Sequence, residues 1–191
     1  MPTALFDDSE IWPVFLRFPS LAGYTLWGNG GEVEDMVLAR DHHPLVFPDP
    51  VALAAFVAQD QVSNMASLPG YGDLRKAAAL PGKVWKSSAV AYRFDLALEL
   101  ANDAPEGWDM GTVATMGDVL TMLSDLARTV GDPQALSLLD DASPLGHLSS
   151  ALAMASRASL DGVLQAVDWP RVSADLEHVL TRLREACQIP A

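Results

Sequence analysis

A chain of 191 residues, half of them hydrophobic and only 19% charged, has the material for one compact unit with a sizeable core. Its single cysteine, Cys187, excludes an internal disulfide and any paired-cysteine zinc or redox motif, and its formal charge of −13 argues against nucleic acid and anionic membrane surfaces as partners. No apolar run approaches the roughly 20 residues that cross a bilayer, and the opening MPTALFDDSE lacks the basic and hydrophobic regions of a secretion signal, so the sequence predicts a cytosolic protein.

The first elements read as strands and tight turns. VFLRF (14–18) alternates, with Val14, Leu16 and Phe18 on one face and Phe15 and Arg17 on the other. GYTLWGNGGE (23–32) gives a second strand closed by a glycine-rich turn, DMVLAR (35–40) a third and LVF (45–47) a short fourth, together an antiparallel meander. His42 and His43 stand in the link before the fourth strand. Adjacent residues of an extended chain point to opposite sides, so the pair reads as turn residues rather than metal ligands.

PDPVALAAFVAQD (48–60) then predicts a helix capped by Asp49 with Pro50 at its first position, its apolar side formed by Val51, Leu53, Ala54, Phe56 and Val57. Two LPG triplets, at 68–70 and 80–82, bracket a short helix in YGDLRKAAA. KVWKSSAVAYRF (83–94) reads as irregular or extended chain; in FDLALELAN (94–102) Phe94, Leu96, Leu98 and Leu100 alternate like a strand while Asp95 and Asn102 are placed as helix caps, and the balance favours a helix.

Beyond residue 103 the pattern is helical. TVATMGDVLTMLSDLARTVG (112–131) repeats apolar residues at spacings of three and four, leaves Asp118, Asp125 and Arg128 on its polar side, and ends on Gly131. DPQALSLLD, SPLGHLSSALAMAS and SLDGVLQAVD predict shorter helices. WPRVSADLEHVLTRLREACQ predicts a last one, from Pro170, with Val172, Leu176, Val179, Leu180, Leu183 and Cys187 on its apolar face.

Searched for chemistry, the chain has no GxSxG or SxxK arrangement and no phosphate-cradling glycine spacing, and its paired acids sit at turns and helix ends. The expectation is no catalytic residue, no metal and no cofactor. The most suggestive stretch is 71–93, in which Arg75, Lys76, Lys83, Lys86 and Arg93 supply five of the twelve basic side chains, interleaved with Tyr71, Trp85 and Tyr92. In so acidic a chain this points to packing against the acidic helices of the same molecule or to a protein interface, formed by Tyr71, Arg75, Lys83, Trp85, Lys86 and Tyr92, rather than to nucleic acid.

The stretches GYTLW, MVLARDHHPLVFPDPVALAAFV, YRFDLALELAN, GWDMGTVATMGDVLTMLSDLA and SPLGHLSSAL resemble, in order and apolar pattern, an actinobacterial family sometimes labelled "primosomal protein". LVFPDPVALAAFV alone is similar to the strand-into-helix piece of SseB-type secretion-associated proteins. What the resemblance implies is a fold and a bacterial cytosolic setting; the DNA work that the label implies does not suit an acidic chain.

These readings combine into an α+β protein. A small N-terminal antiparallel sheet with a covering helix (1–67) is joined by a basic aromatic connecting segment (68–102) to a C-terminal helical bundle (103–191), one compact domain in all. The expected function is non-enzymatic interaction or regulation by protein–protein contact, with a protein partner or a second copy as a homodimer. Two alternatives remain: an acidic immunity or antitoxin-like protein masking a basic partner, and an enzyme with a carboxylate or histidine site between sheet and helices.

Overall fold

The computed structural model describes residues 11–29, 35–80, 90–103 and 108–190. The chain divides into two units, one of Met1–Ala91 with Ala186–Ala191 and one of Tyr92–Glu185. The fold is α+β, with the sheet in the first unit and a run of helices in the second.

In the first unit β1 (Ile11–Phe18) and β2 (Leu21–Gly28) form an antiparallel hairpin that sets Trp12 opposite Trp27 and Phe15 opposite Tyr24. Both pairs are in ring contact, with centroids 5.2 and 4.9 Å apart. β3 (Met36–Val37) and β6 (Val90–Arg93), the latter with only Val90 and Ala91 in this unit, complete a sheet of order β3-β2-β1-β6.

The third expected strand is split in two. Asn64 is the cause: its Nδ2 donates to Val37 O at 2.8 Å and its Oδ1 accepts from Ala39 N at 2.7 Å, while the buried Leu38 in between donates its amide to Leu26 O. The chain therefore leaves the main sheet at Leu38. β4 (Ala39–Arg40) then pairs with β5 (His43–Pro44) across Asp41 and His42, whose positive φ values of 51° and 65° belong to the left-handed region that such tight hairpins use. His42 is thus a turn residue, and His43 Nδ1 lies 3.1 Å from Ala186 O.

Leu45–Phe47 is not the fourth strand. Instead, Phe47 bridges Tyr24 and Leu45 bridges Gln188 near the end of the chain, with Val46 N–H donating to Gln188 O and Gln188 N–H to Pro44 O, each at 2.8 Å. Gly23 permits the first of these bridges, since a Cβ there would lie 2.4 Å from Phe47 O.

α1 (Pro50–Gln59) starts as the sequence predicts, with Asp49 Oδ1 accepting from the amides of Val51 and Ala52 at 2.8 Å. Its inward residues Leu53 and Val57 join Ile11, Leu26, Leu38, Phe47, Met65 and Tyr71 in the core of the unit. Val51, expected on the apolar side, is instead 66% exposed. A 3-10 turn (Asn64–Ser67) leads to α2 (Tyr71–Ala78), whose N-cap Gly70 has a φ of 80° that favours glycine.

The second unit holds α3 (Phe94–Asn102), α4 (Met110–Val130), α5 (Pro133–Leu139), α6 (Pro144–Met154), α7 (Leu160–Gln165) and all but the last residue of α8 (Trp169–Ala186). Local signals start most of them. Asp109 accepts from Thr112 N, Asp132 from Gln134 N and Ala135 N, Ser143 from Gly146 N and Asp168 from Arg171 N. Gly131 ends α4 with a φ of 71°.

Three expectations need correction here. α3 has no side-chain cap, because Asp95 pairs with Arg93 at 3.0 Å and Asn102 Oδ1 accepts from Ser173 Oγ at 2.5 Å. Asp125 is buried on α4 rather than solvated, and its ion pair with Arg128, at 2.6 Å one helical turn away, offsets part of the cost of that burial. Cys187 lies beyond the end of α8 and is half-buried.

Candidate functional site

α6 and α7 build an apolar recess in the second unit. Ser143 Oγ accepts from Gly146 N at 3.0 Å and donates to Leu138 O at 2.6 Å, which fixes where α6 begins. Leu145, Leu148 and Leu152, at spacings of three and four, turn inward. α6 ends at Met154, and a serine turn follows, in which Ser159 Oγ accepts from Ser156 N at 3.0 Å. α7 then anchors through the buried Leu160 and Leu164. Trp169 closes the corner: its Nε1 donates to Leu164 O at 2.9 Å and its ring meets Trp108 edge-on at 5.1 Å.

The result is an open trough of about 680 Å³. One wall is the α6 stripe Pro144, His147, Leu148 and Ala151; the other is Ser159, Gly162, Val163, Ala166 and Val167, with Val172 of α8 at the end. Both stripes follow helical spacing, so each presents a continuous face. A Cβ at Gly162 would meet nothing within 4 Å, so this part of the wall opens onto free space. Its ionisable groups are the exposed His147 and Asp168, and Asp168 already caps α8. Apolar walls with a few polar groups at the rim are the usual make-up of a site that holds a ligand by burial.

The surroundings are acidic. From 92 to 185 the chain carries fifteen acidic and six basic side chains, a net of −9. Several of the arginines are already paired, Arg93 with Asp95, Arg128 with Asp125, Arg171 with Asp175 and Arg182 with Asp132.

The first unit has a different kind of centre. Asp60 is buried where α1 ends, and Oδ1 accepts from Val62 N and Ser63 N at 3.2 and 3.1 Å while Oδ2 accepts from Ser63 Oγ and, at 2.7 Å, from Tyr71 Oη. Burial pushes its carboxyl up, but the hydrogen bonds from the Ser63 and Tyr71 side chains and the two amides outweigh this and hold it below the ordinary carboxylate value. Burial, then the hydrogen bond to Asp60, raises the Tyr71 hydroxyl well above its ordinary value. With four donors already bound, Asp60 is a structural knot. Arg40 stands 3.8 Å from Oδ1, at the mouth of a concavity of about 710 Å³ that also includes Phe56, Gln59, Gln61, Val62 and Gln188.

The six residues expected to form an interface fall in three places. Tyr71 is fully buried and its hydroxyl serves the Asp60 knot. Arg75 is half-buried on α2, its Nε without a hydrogen-bond partner among the described residues. Tyr92 is half-buried in the second unit, and Lys83, Trp85 and Lys86 lie outside the described residues. The trough was not foreseen. Its signal was the small residues Ala151 on α6 and Gly162 and Ala166, four apart, on α7 and its C-cap, both helices being predicted from the sequence. Among the described residues no group of three or more His, Cys, Asp or Glu is placed to hold a metal ion, and no helix is long and apolar enough to cross a membrane.

Together these features define an α+β protein with an apolar trough in its helical unit. The chain belongs to the SatS C-terminal domain family, whose model matches residues 11–181. A solved structure described as the crystal structure of SatS c-terminal domain in complex with bromine is similar at a TM-score of 0.69, with 18% identity over 95% of this chain and 94% of that one. At that identity the likeness shows the fold. Neither the primosomal nor the SseB-type resemblance is part of these matches. No curated protein matches the sequence.

Proposed function

We propose that the protein acts by protein–protein contact, with no bond made or broken, and that the trough between α6 and α7 receives an apolar segment of another polypeptide. The observation that carries this reading is the trough itself: about 680 Å³ of mainly apolar recess whose only ionisable lining groups are His147 and Asp168. Burying a leucine-sized side chain there contributes about 2 kcal/mol. The net charge of −9 around it favours a segment flanked by basic residues. Arg75, Lys83, Trp85, Lys86 and Tyr92 remain proposed contact residues, each on its own account, and a cytosolic setting suits a chain with one cysteine.

Fluorescence anisotropy with labelled peptides, each with a centre rich in leucine and valine and flanked by lysines or by glutamates, tests the reading. The lysine-flanked peptide is expected to bind more tightly. Ala166→Glu, which sets a charge in the wall, and Gly162→Leu, which fills it, should each weaken binding at least about tenfold. Unchanged binding in both folded variants contradicts the proposal.

A further inference from the structure

The outward side of α1 has no assigned role. The helix carries no charged residue from Pro50 to Gln59, in a chain of net charge −13. Its solvent face runs Val51, Ala55 and Gln59, one above the other at i, i+4 and i+8, and continues into Val62. Val51 and Val62 are 66% and 68% exposed. An acidic molecule repels a copy of itself at most approaches, and an uncharged face such as this one adds nothing to that repulsion.

The two ends of α1 also differ in a complementary way. The N-terminal end is a projection, with Pro48, Asp49 and Val51 all exposed; Asp49 caps the helix through Oδ1, and Oδ2 takes no part in the cap. The C-terminal end is hollow, the concavity of about 710 Å³ with Arg40 at its mouth. Arg40 is held with its guanidinium 5.3 Å from the centre of the Phe56 ring, and its side chain is 45% exposed. Arg40 forms a long ion pair with Asp60 at 3.8 Å, outside hydrogen-bond distance, and since Asp60 already accepts from four donors the exposed guanidinium keeps its donors for a further carboxylate.

We propose that the outward face of α1 is a self-association surface, on which a second copy of this chain lays its own α1 antiparallel about a two-fold axis near Ala55. A helix of 10 residues is about 15 Å long. Running antiparallel, each copy sets its Pro48–Asp49 projection at the hollow end of the other, so that Asp49 meets Arg40 twice and the exposed Val62 meets Pro48. A two-fold interface must be complementary to itself, and a projection and a hollow at opposite ends of an uncharged helix satisfy that condition. One helix face offers less than the roughly 1,200 Å² that stable complexes bury, so the dimer is a weak, concentration-dependent one. This surface is separate from the α6–α7 trough and does not depend on it.

Sedimentation velocity of the whole chain, from micromolar concentrations to about 1 mM, reads the association directly. The unaltered chain should shift from monomer to dimer across the series. Ala55→Glu places two like charges at the axis and should keep the protein monomeric, whereas Ala114→Glu, the same change at an exposed position of α4, should leave the shift intact. Arg40→Gln and Asp49→Asn, the latter still able to cap the helix, should each raise the dissociation constant at least about tenfold. Circular dichroism confirms that each variant is folded. A monomer at every concentration, a dimer undisturbed by Ala55→Glu, or equal loss with Ala114→Glu overturns the proposal.

Discussion

The two units are held together by different means. The first is tied by polar contacts between residues distant in sequence, the Tyr24–Phe47 and Leu45–Gln188 bridges and the clamp of Asn64 on Val37 and Ala39, and by the nearer knot of Ser63 and Tyr71 on the buried Asp60. The second is a set of helices, most of them started by a local side-chain cap and buried along an apolar stripe, as in α4 from Asp109 through Val113, Met116, Leu120 and Leu123. A single change should therefore damage the first unit widely and the second only locally.

The largest effect is expected at Gly23. Gly23→Ala would bring a Cβ to 2.4 Å from Phe47 O and 2.6 Å from Val46 Cγ1, so the strand and the 44–47 segment must separate. Urea unfolding should show a loss of about 3 kcal/mol or more. Asp60→Ala comes next: it removes four acceptor contacts and leaves the buried Tyr71 hydroxyl without its partner, a loss of about 3 kcal/mol in the same experiment. Asp109→Ala, which removes the cap of α4 while the stripe stays buried, should cost only about 1 kcal/mol.

Acid should act most gently and on both units. The folded-state values of Asp60 and Asp132 lie below the ordinary 3.8, the latter because hydrogen bonds from Arg182 and two amides outweigh its burial. A depressed carboxylate stabilises the fold fully above its unfolded value and loses that contribution as pH falls through the folded one. Thermal unfolding should thus show no loss from these two groups between pH 7 and about pH 5 and a decline below about pH 4. Asp132→Asn, which keeps the capping oxygen, should lessen the decline.

The same contrast decides what could be read from the sequence. The helices of the second unit were legible, as were the capping roles of Asp49 and Gly131, because spacing and caps act between neighbours in the chain. Leu45–Phe47 was misread as a strand because its partners, Tyr24 and Gln188, are selected by the folded arrangement and carry no local mark. Asp125 was misplaced for a related reason: a carboxylate reads as solvated, and only the packed helix shows it buried against Arg128. The trough was half legible. Both helices were predicted, but that the stripe from Pro144 and the one from Ser159 line one recess depends on the turn at Ser156–Ser159 that joins α6 to α7.

The central claim is that the α6–α7 trough takes an apolar segment of another protein, and hydrogen exchange of the whole chain with and without a saturating lysine-flanked apolar peptide tests it most directly. The account predicts slower amide exchange across residues 147–167, little change at α2, and loss of that protection in Ala166→Glu. Protection confined to the first unit, or equal protection in the variant, would contradict it.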